Sequence, residues 1–113
     1  MKKCKNQQGF SLIELILTII IIGILAAIGY AQYVNLRTSS EAATCKANQM
    51  SLETCQGLYY IDHALNGNPH YTTDLDDLIP YMKAQIDCPS GGTYKATSNG
   101  QIQCSITAHH RPR

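Results

Sequence analysis

The residues in this chain best suited to chemistry are its cysteines and histidines. There are five cysteines, Cys4, Cys45, Cys55, Cys88 and Cys104, and four histidines, His63, His70, His109 and His110. Thiols and imidazoles support disulfides, zinc binding or nucleophilic catalysis, and each needs a particular spacing. Cys45 and Cys55 lie ten residues apart, about 15 Å along a continuous helix and too far for a disulfide. A zinc site joining them to His63 or His70 has no compact ligand spacing. Cys55 with His63 would supply a nucleophile and a base, and His109 with His110 a pair of metal ligands. Neither pair comes with an orienting third group or a catalytic motif. No catalytic residue, metal ligand or cofactor is therefore expected. Cysteine usage points instead to an oxidising compartment and at least one disulfide. Cys45, Cys55, Cys88 and Cys104 allow three pairings.

The other conspicuous group is a carboxylate. Glu14 sits near the start of "KNQQGFSLIELILTIIIIGILAAIGY", the most apolar stretch of the chain. From Leu15 to Ala31 there is no charge. The 22 residues from Phe10 would span roughly 33 Å as a helix, a bilayer core. A carboxylate there costs about 2.5–3.5 kcal/mol, and such residues usually have a partner and a role. A cut between Gly9 and Phe10 would create one, because the new α-amino group lies four residues before Glu14. In parallel helices staggered by about a turn, the amine of one copy would meet the carboxylate of the next. Glu14 would then register an assembly. A plain signal anchor leaves Glu14 unexplained. So does a cleaved signal peptide, for which "LAAIGYAQY" offers small residues.

"GFSLIEL" resembles the cleavage and methylation motif of type IV pilins and of the pseudopilins of type II secretion and DNA-uptake systems, and "GILAAI" continues the likeness. The match is a basic leader, Gly then Phe, Glu fifth after the cut, and an uncharged run. The resemblance implies that a prepilin peptidase cuts after Gly9 and that Phe10 is N-methylated. It further implies that Glu14 neutralises the Phe10 amine during filament assembly. It covers under a third of the chain. One departure is Ala31, where many such pilins carry proline; Gly23 and Gly29 are the soft points here instead, each costing about 1 kcal/mol relative to Ala.

The totals agree. Net charge is +1, but Lys2, Lys3 and Lys5 precede Phe10 with no acid among them, and the other residues carry six basic and eight acidic groups, a net of −2. A basic head before an apolar run is handled by membrane export, with the N-terminus inside. No overall field favours nucleic acid. With no Trp and one Phe, the core of the exported part must be thin.

Beyond the membrane the helix is expected to continue, with Ala43, Ala47, Met50, Leu58 and Ile61 on one apolar face and Thr54 in the gap. Gly67 and Pro69 end it. "YTTDLDDLIPYMK" reads as a short helix with Thr73 as N-cap. Asp74, Asp76 and Asp77 suit its dipole without calcium, and Leu75, Leu78 and Met82 face the core. "CPSGGTYKATSNGQIQCSIT" reads as a hairpin around an Asn-Gly turn, flanked by Cys88 and Cys104. A disulfide there would close a loop of about 16 residues and stabilise by roughly 3 kcal/mol. The run resembles the ending of some small pilin-like proteins, which supports a head closed by hairpin and disulfide. "HHRPR" reads as a solvated basic end.

The fold expected is α+β. A long N-terminal helix, transmembrane in its first half and amphipathic in its second, is packed by a small C-terminal head with a short helix and a hairpin. The parts are a leader (1–9), a membrane and filament-core helix (10–31), its amphipathic continuation (32–66) and the head (67–113). The function expected is that of a prepilin in the cytoplasmic membrane, not an enzyme. Its partners would be a prepilin peptidase, an assembly platform and other pilin subunits. The alternatives are a tip subunit acting as a binding module, for example in DNA uptake, and a membrane-anchored enzyme.

Overall fold

The computed structural model describes residues 9–111. Lys2, Lys3, Cys4 and Lys5 of the expected leader lie outside them, as do Pro112 and Arg113. One helix, α1, runs Leu12–Leu65. The chain divides into two compact units, Met1–Leu36 and Arg37–Arg113.

Both ends of α1 follow from local residue chemistry. Ser11 is the N-cap and Glu14 stands three residues on: the Glu14 N–H donates to Ser11 Oγ (3.3 Å), and the Ser11 N–H donates to Glu14 Oε2 (3.0 Å). This reciprocal capping box satisfies two of the backbone donors a helix start leaves free. At the far end Gly67 takes φ +82°, the Asn68 N–H reaches the His63 carbonyl (2.9 Å), and the Gly67 N–H reaches that of Ala64 (3.1 Å). The pair forms a Schellman motif, which needs a left-handed residue and so favours glycine.

In the N-terminal unit α1 is long and apolar enough to cross a membrane, and none of that stretch is buried by the chain itself.

The second unit builds a core on the rest of the helix. A short 3-10 helix, Asp76–Tyr81, is followed by strands β1, Tyr94–Ala96, and β2, Ile102–Cys104, and by a 3-10 turn, Thr107–His109. The strands pair antiparallel, Tyr94 opposite Cys104, Lys95 opposite Gln103 and Ala96 opposite Ile102. Cys45, Leu52, Cys88, Tyr94, Ile102 and Cys104 form one buried cluster; Cys55, Tyr59 and Leu78 form another. Leu75 and Met82 pack against both, so the expected core residues of the short helix do face inward.

Two local expectations change. The short helix starts later than Thr73 and is 3-10. Thr72 organises its entry, its hydroxyl accepting from the Asp74 N–H (3.0 Å) and donating to Asp77 Oδ2 (2.6 Å). The Asn-Gly turn forms as expected, within a three-residue loop. The Gly100 N–H bonds to the Thr97 carbonyl (2.9 Å), the Thr97 N–H bonds to the Gln101 carbonyl (2.9 Å), and only Gly100 among the loop residues has positive φ. A Cβ on Gly100 would also lie 2.7 Å from the Tyr71 ring.

The largest change concerns the face of α1 that packs. The apolar stripe points outward, with Met50 56%, Leu58 48% and Ile61 57% exposed. The buried face carries Cys45, Gln49, Leu52, Cys55, Gln56 and Tyr59. Polar groups win because the returning chain presents unpaired backbone to the helix. Gln49 Nε2 donates to the His109 carbonyl (2.9 Å). Gln56 donates to the Thr72 carbonyl (2.7 Å) and accepts from the Thr72 N–H (3.3 Å). Buried amides satisfied in this way carry no desolvation penalty that an apolar face would avoid.

Candidate functional site

Two groups of residues stand out. At the N-terminus, Gly9 and Phe10 are exposed and precede α1 in non-helical backbone. A Cβ on Gly9 would meet no described atom within 4 Å, so no described contact requires glycine there. Glu14 is exposed and engaged with Ser11. The S-x-x-E pattern at 11–14 is legible as a capping box, and the sequence reading above missed it.

Residues 4–30 match the family model of the prokaryotic N-terminal methylation motif. The chain carries this motif, the signature of type IV pilins and pseudopilins. The match ends at Tyr30, so everything beyond it lies outside the motif. No solved structure matches the chain. The motif spans Gly9, Phe10 and Glu14, the residues singled out above.

The second group lies in the unit of residues 37–113. α1 supplies Cys45, the loop before β1 supplies Cys88, β2 supplies Cys104 and the last 3-10 turn supplies His109; all four are buried. Cys88 Sγ is 3.5 Å from Cys45 Sγ, 3.8 Å from Cys104 Sγ and 3.6 Å from His109 Nδ1. No two of the four ligand atoms are more than 4.8 Å apart. The sulfurs of Cys88 and Cys104, the pair the sequence suggested as a bridge, lie 3.8 Å apart, and a third sulfur shares their space.

The surroundings tune the sulfurs differently. Burial would raise the Cys88 thiol, but hydrogen bonds from the Ser90 and Gly92 N–H groups and those it shares with His109 and Cys45 outweigh it and bring it down to about 6. Burial dominates at Cys104, which is pushed up to about 11 despite the Ile106 N–H. Cys45 Sγ is faced by the Tyr94 hydroxyl (3.5 Å) and by Gln49 Nε2 (3.5 Å).

Of the remaining candidates, His63 and His70 meet edge to face (ring centroids 4.8 Å), while Cys55 turns elsewhere. Cys55 donates to the Tyr81 carbonyl (3.5 Å), and burial raises its thiol. His63 stacks on Tyr59 and bonds to the Tyr59 carbonyl (2.9 Å), so neither residue serves the other. The basic end is solvated only in part as far as Arg111: His109 is buried, His110 is exposed with its Nε2 bonded to the Cys104 carbonyl (2.7 Å), and the half-buried Arg111 pairs with Glu53. An open cleft of about 660 Å³ between Leu52, Leu75, Ile79, Met82, Ile86 and Tyr94 has no cysteine, serine or histidine in its lining.

Proposed function

We propose that the chain is a prepilin, the precursor of a subunit of a type IV pilus or of a type II secretion-like pseudopilus. It lies in the cytoplasmic membrane with Lys2, Lys3 and Lys5 inside, held by residues 10–31. A prepilin peptidase removes residues 1–9 by cutting after Gly9, and Phe10 is N-methylated. An assembly platform then adds the mature chain to a helical polymer of pilin subunits, in which Glu14 of one copy neutralises the Phe10 amine of the next. Residues 32–66 continue the helix, and residues 67–113 form the head.

The observation that carries this reading is the methylation motif at residues 4–30 with its cut site in exposed, non-helical backbone. A protease needs an accessible peptide outside regular structure, and residues 9 and 10 are exposed and non-helical directly before the helix. A glycine that no described contact requires is best explained by recognition from outside the chain. The apolar side chains between Leu12 and Leu36 have no partner surface among the described residues, which fits a segment covered first by lipid and then by neighbouring subunits.

Mass spectrometry of the N-terminal peptide, on protein from its native membrane, tests the proposal. A chain beginning at N-methylated Phe10 is expected. A start at Met1, or after Ala27 or Ala31, would refute processing at Gly9.

A further inference from the structure

We propose that Cys45, Cys88, Cys104 and His109 form a structural zinc site that ties the head to its helix. Zinc bonds to thiolate sulfur at about 2.3 Å and to imidazole nitrogen at about 2.0–2.1 Å, so a tetrahedral site has sulfur–sulfur edges of about 3.8 Å and sulfur–nitrogen edges of about 3.6 Å. The observed separations are 3.5 and 3.8 Å between sulfurs and 3.6 Å from Cys88 Sγ to His109 Nδ1. The widest separation in the cluster is at most 4.8 Å, so closing around the ion moves side chains by about 1 Å.

The ring of donors around the cluster is the second observation. The Ser90 and Gly92 N–H groups face Cys88 Sγ, and the Ile106 N–H faces Cys104 Sγ. Tyr94 and Gln49 donate to Cys45 Sγ. Within the cluster the Cys88 thiol points to Cys45 Sγ and the Cys104 thiol to Cys88 Sγ; the groups around the cluster are donors, as they are around metal thiolates. Gln49 also holds the His109 carbonyl, fixing the segment that carries the imidazole. A Cβ on Gly92 would stand 2.8 Å from Cys104 Sγ, so the backbone must come this close to present its N–H to the cluster.

Ligand chemistry selects the ion. Three thiolates and one imidazole at tetrahedral spacing suit zinc, whereas calcium and magnesium need oxygen donors. Four protein ligands leave no open position, so the site is structural and not catalytic. With zinc bound all three sulfurs are thiolates, a centre of net charge −1 that the surrounding N–H and O–H groups solvate. A Cys88–Cys104 disulfide is the competing state. It would use two of the sulfurs and give no reason for a third buried beside them, or for a buried imidazole turned toward Cys88. The inference does not depend on the filament reading.

The full-length chain, purified from its native membrane in detergent without chelator, should contain about one zinc per chain. Cobalt exchanged for zinc should give the intense visible bands of a tetrahedral site and thiolate-to-cobalt charge transfer. Cys45→Ser should weaken cobalt binding at least about tenfold, and Cys55→Ser should leave it unchanged. The zinc content and the cobalt spectrum need no variant, so misfolding of Cys45→Ser cannot obscure the result. Native chain isolated with far less than one zinc, or with Cys88 and Cys104 oxidised to a disulfide, would overturn the proposal. So would a weak octahedral cobalt spectrum, or Cys55→Ser losing the metal as Cys45→Ser does.

Discussion

Helix α1 has two stretches built on opposite principles. Residues 12–36 expose large apolar side chains on every side, among them Leu12, Ile16, Ile20, Ile24 and Ile28. Residues 37–65 bury one face, and that face carries two cysteines, two glutamines, a leucine and a tyrosine. Backbone geometry is the same, and composition decides what each stretch can pack against. The first is apolar all round and can be satisfied only by lipid or by other helices. The second is satisfied within the chain by directed contacts, amide to carbonyl and sulfur to N–H. A helix can therefore leave its more apolar surface outside when its polar side chains match the groups offered by the segment that packs on it.

Substitutions should separate the two stretches. The largest effect is expected from Gly9→Leu, which should abolish leader removal and assembly while leaving the melting temperature of the detergent-solubilised chain unchanged. Processed chain in that variant, by N-terminal mass spectrometry, would break the link between the motif and its cut. Glu14→Gln comes next and sharpens the role of the carboxylate. Gln at this position can keep the capping box but carries no charge. It should insert and be cleaved normally yet yield few filaments, and wild-type filament yield by electron microscopy would reduce Glu14 to a helix cap.

In the other stretch, Leu78→Ala removes a fully buried side chain and should destabilise the head by about 2–5 kcal/mol in denaturant titration, with processing unaffected. Gly100→Ala places a methyl against Tyr71 at positive φ and should cost about 1–3 kcal/mol in the same titration. The smallest effect is expected from Ser11→Ala, about 1 kcal/mol confined to the first turn and seen as faster amide exchange near Leu12.

The sequence revealed what is local. The apolar run, the helix continuing past it, the glycine that stops it and the hairpin after Cys88 each depend on neighbours a few residues apart. It concealed what is distant. Cys45 and Cys88 are separated by 43 residues, and no spacing rule links them; only the fold brings them to 3.5 Å. The face of α1 misled for a related reason: periodicity ranks Met50, Leu58 and Ile61 above Gln49 and Gln56, but it cannot see the carbonyls of His109 and Thr72. The run 11–14 is different, since its capping box is local and legible in Ser11 and Glu14 alone.

Gln49 and Gln56 have a consequence beyond stability. They lie seven residues apart, about two turns, and each clips a specific backbone group with directed hydrogen bonds. Apolar contacts tolerate sliding or rolling along a helix; paired amides do not. Together they index the head on its shaft like two teeth of a gear, at one height and one angle. Every copy of the chain then presents the same outward surface in the same orientation, which any regular lattice of identical parts requires.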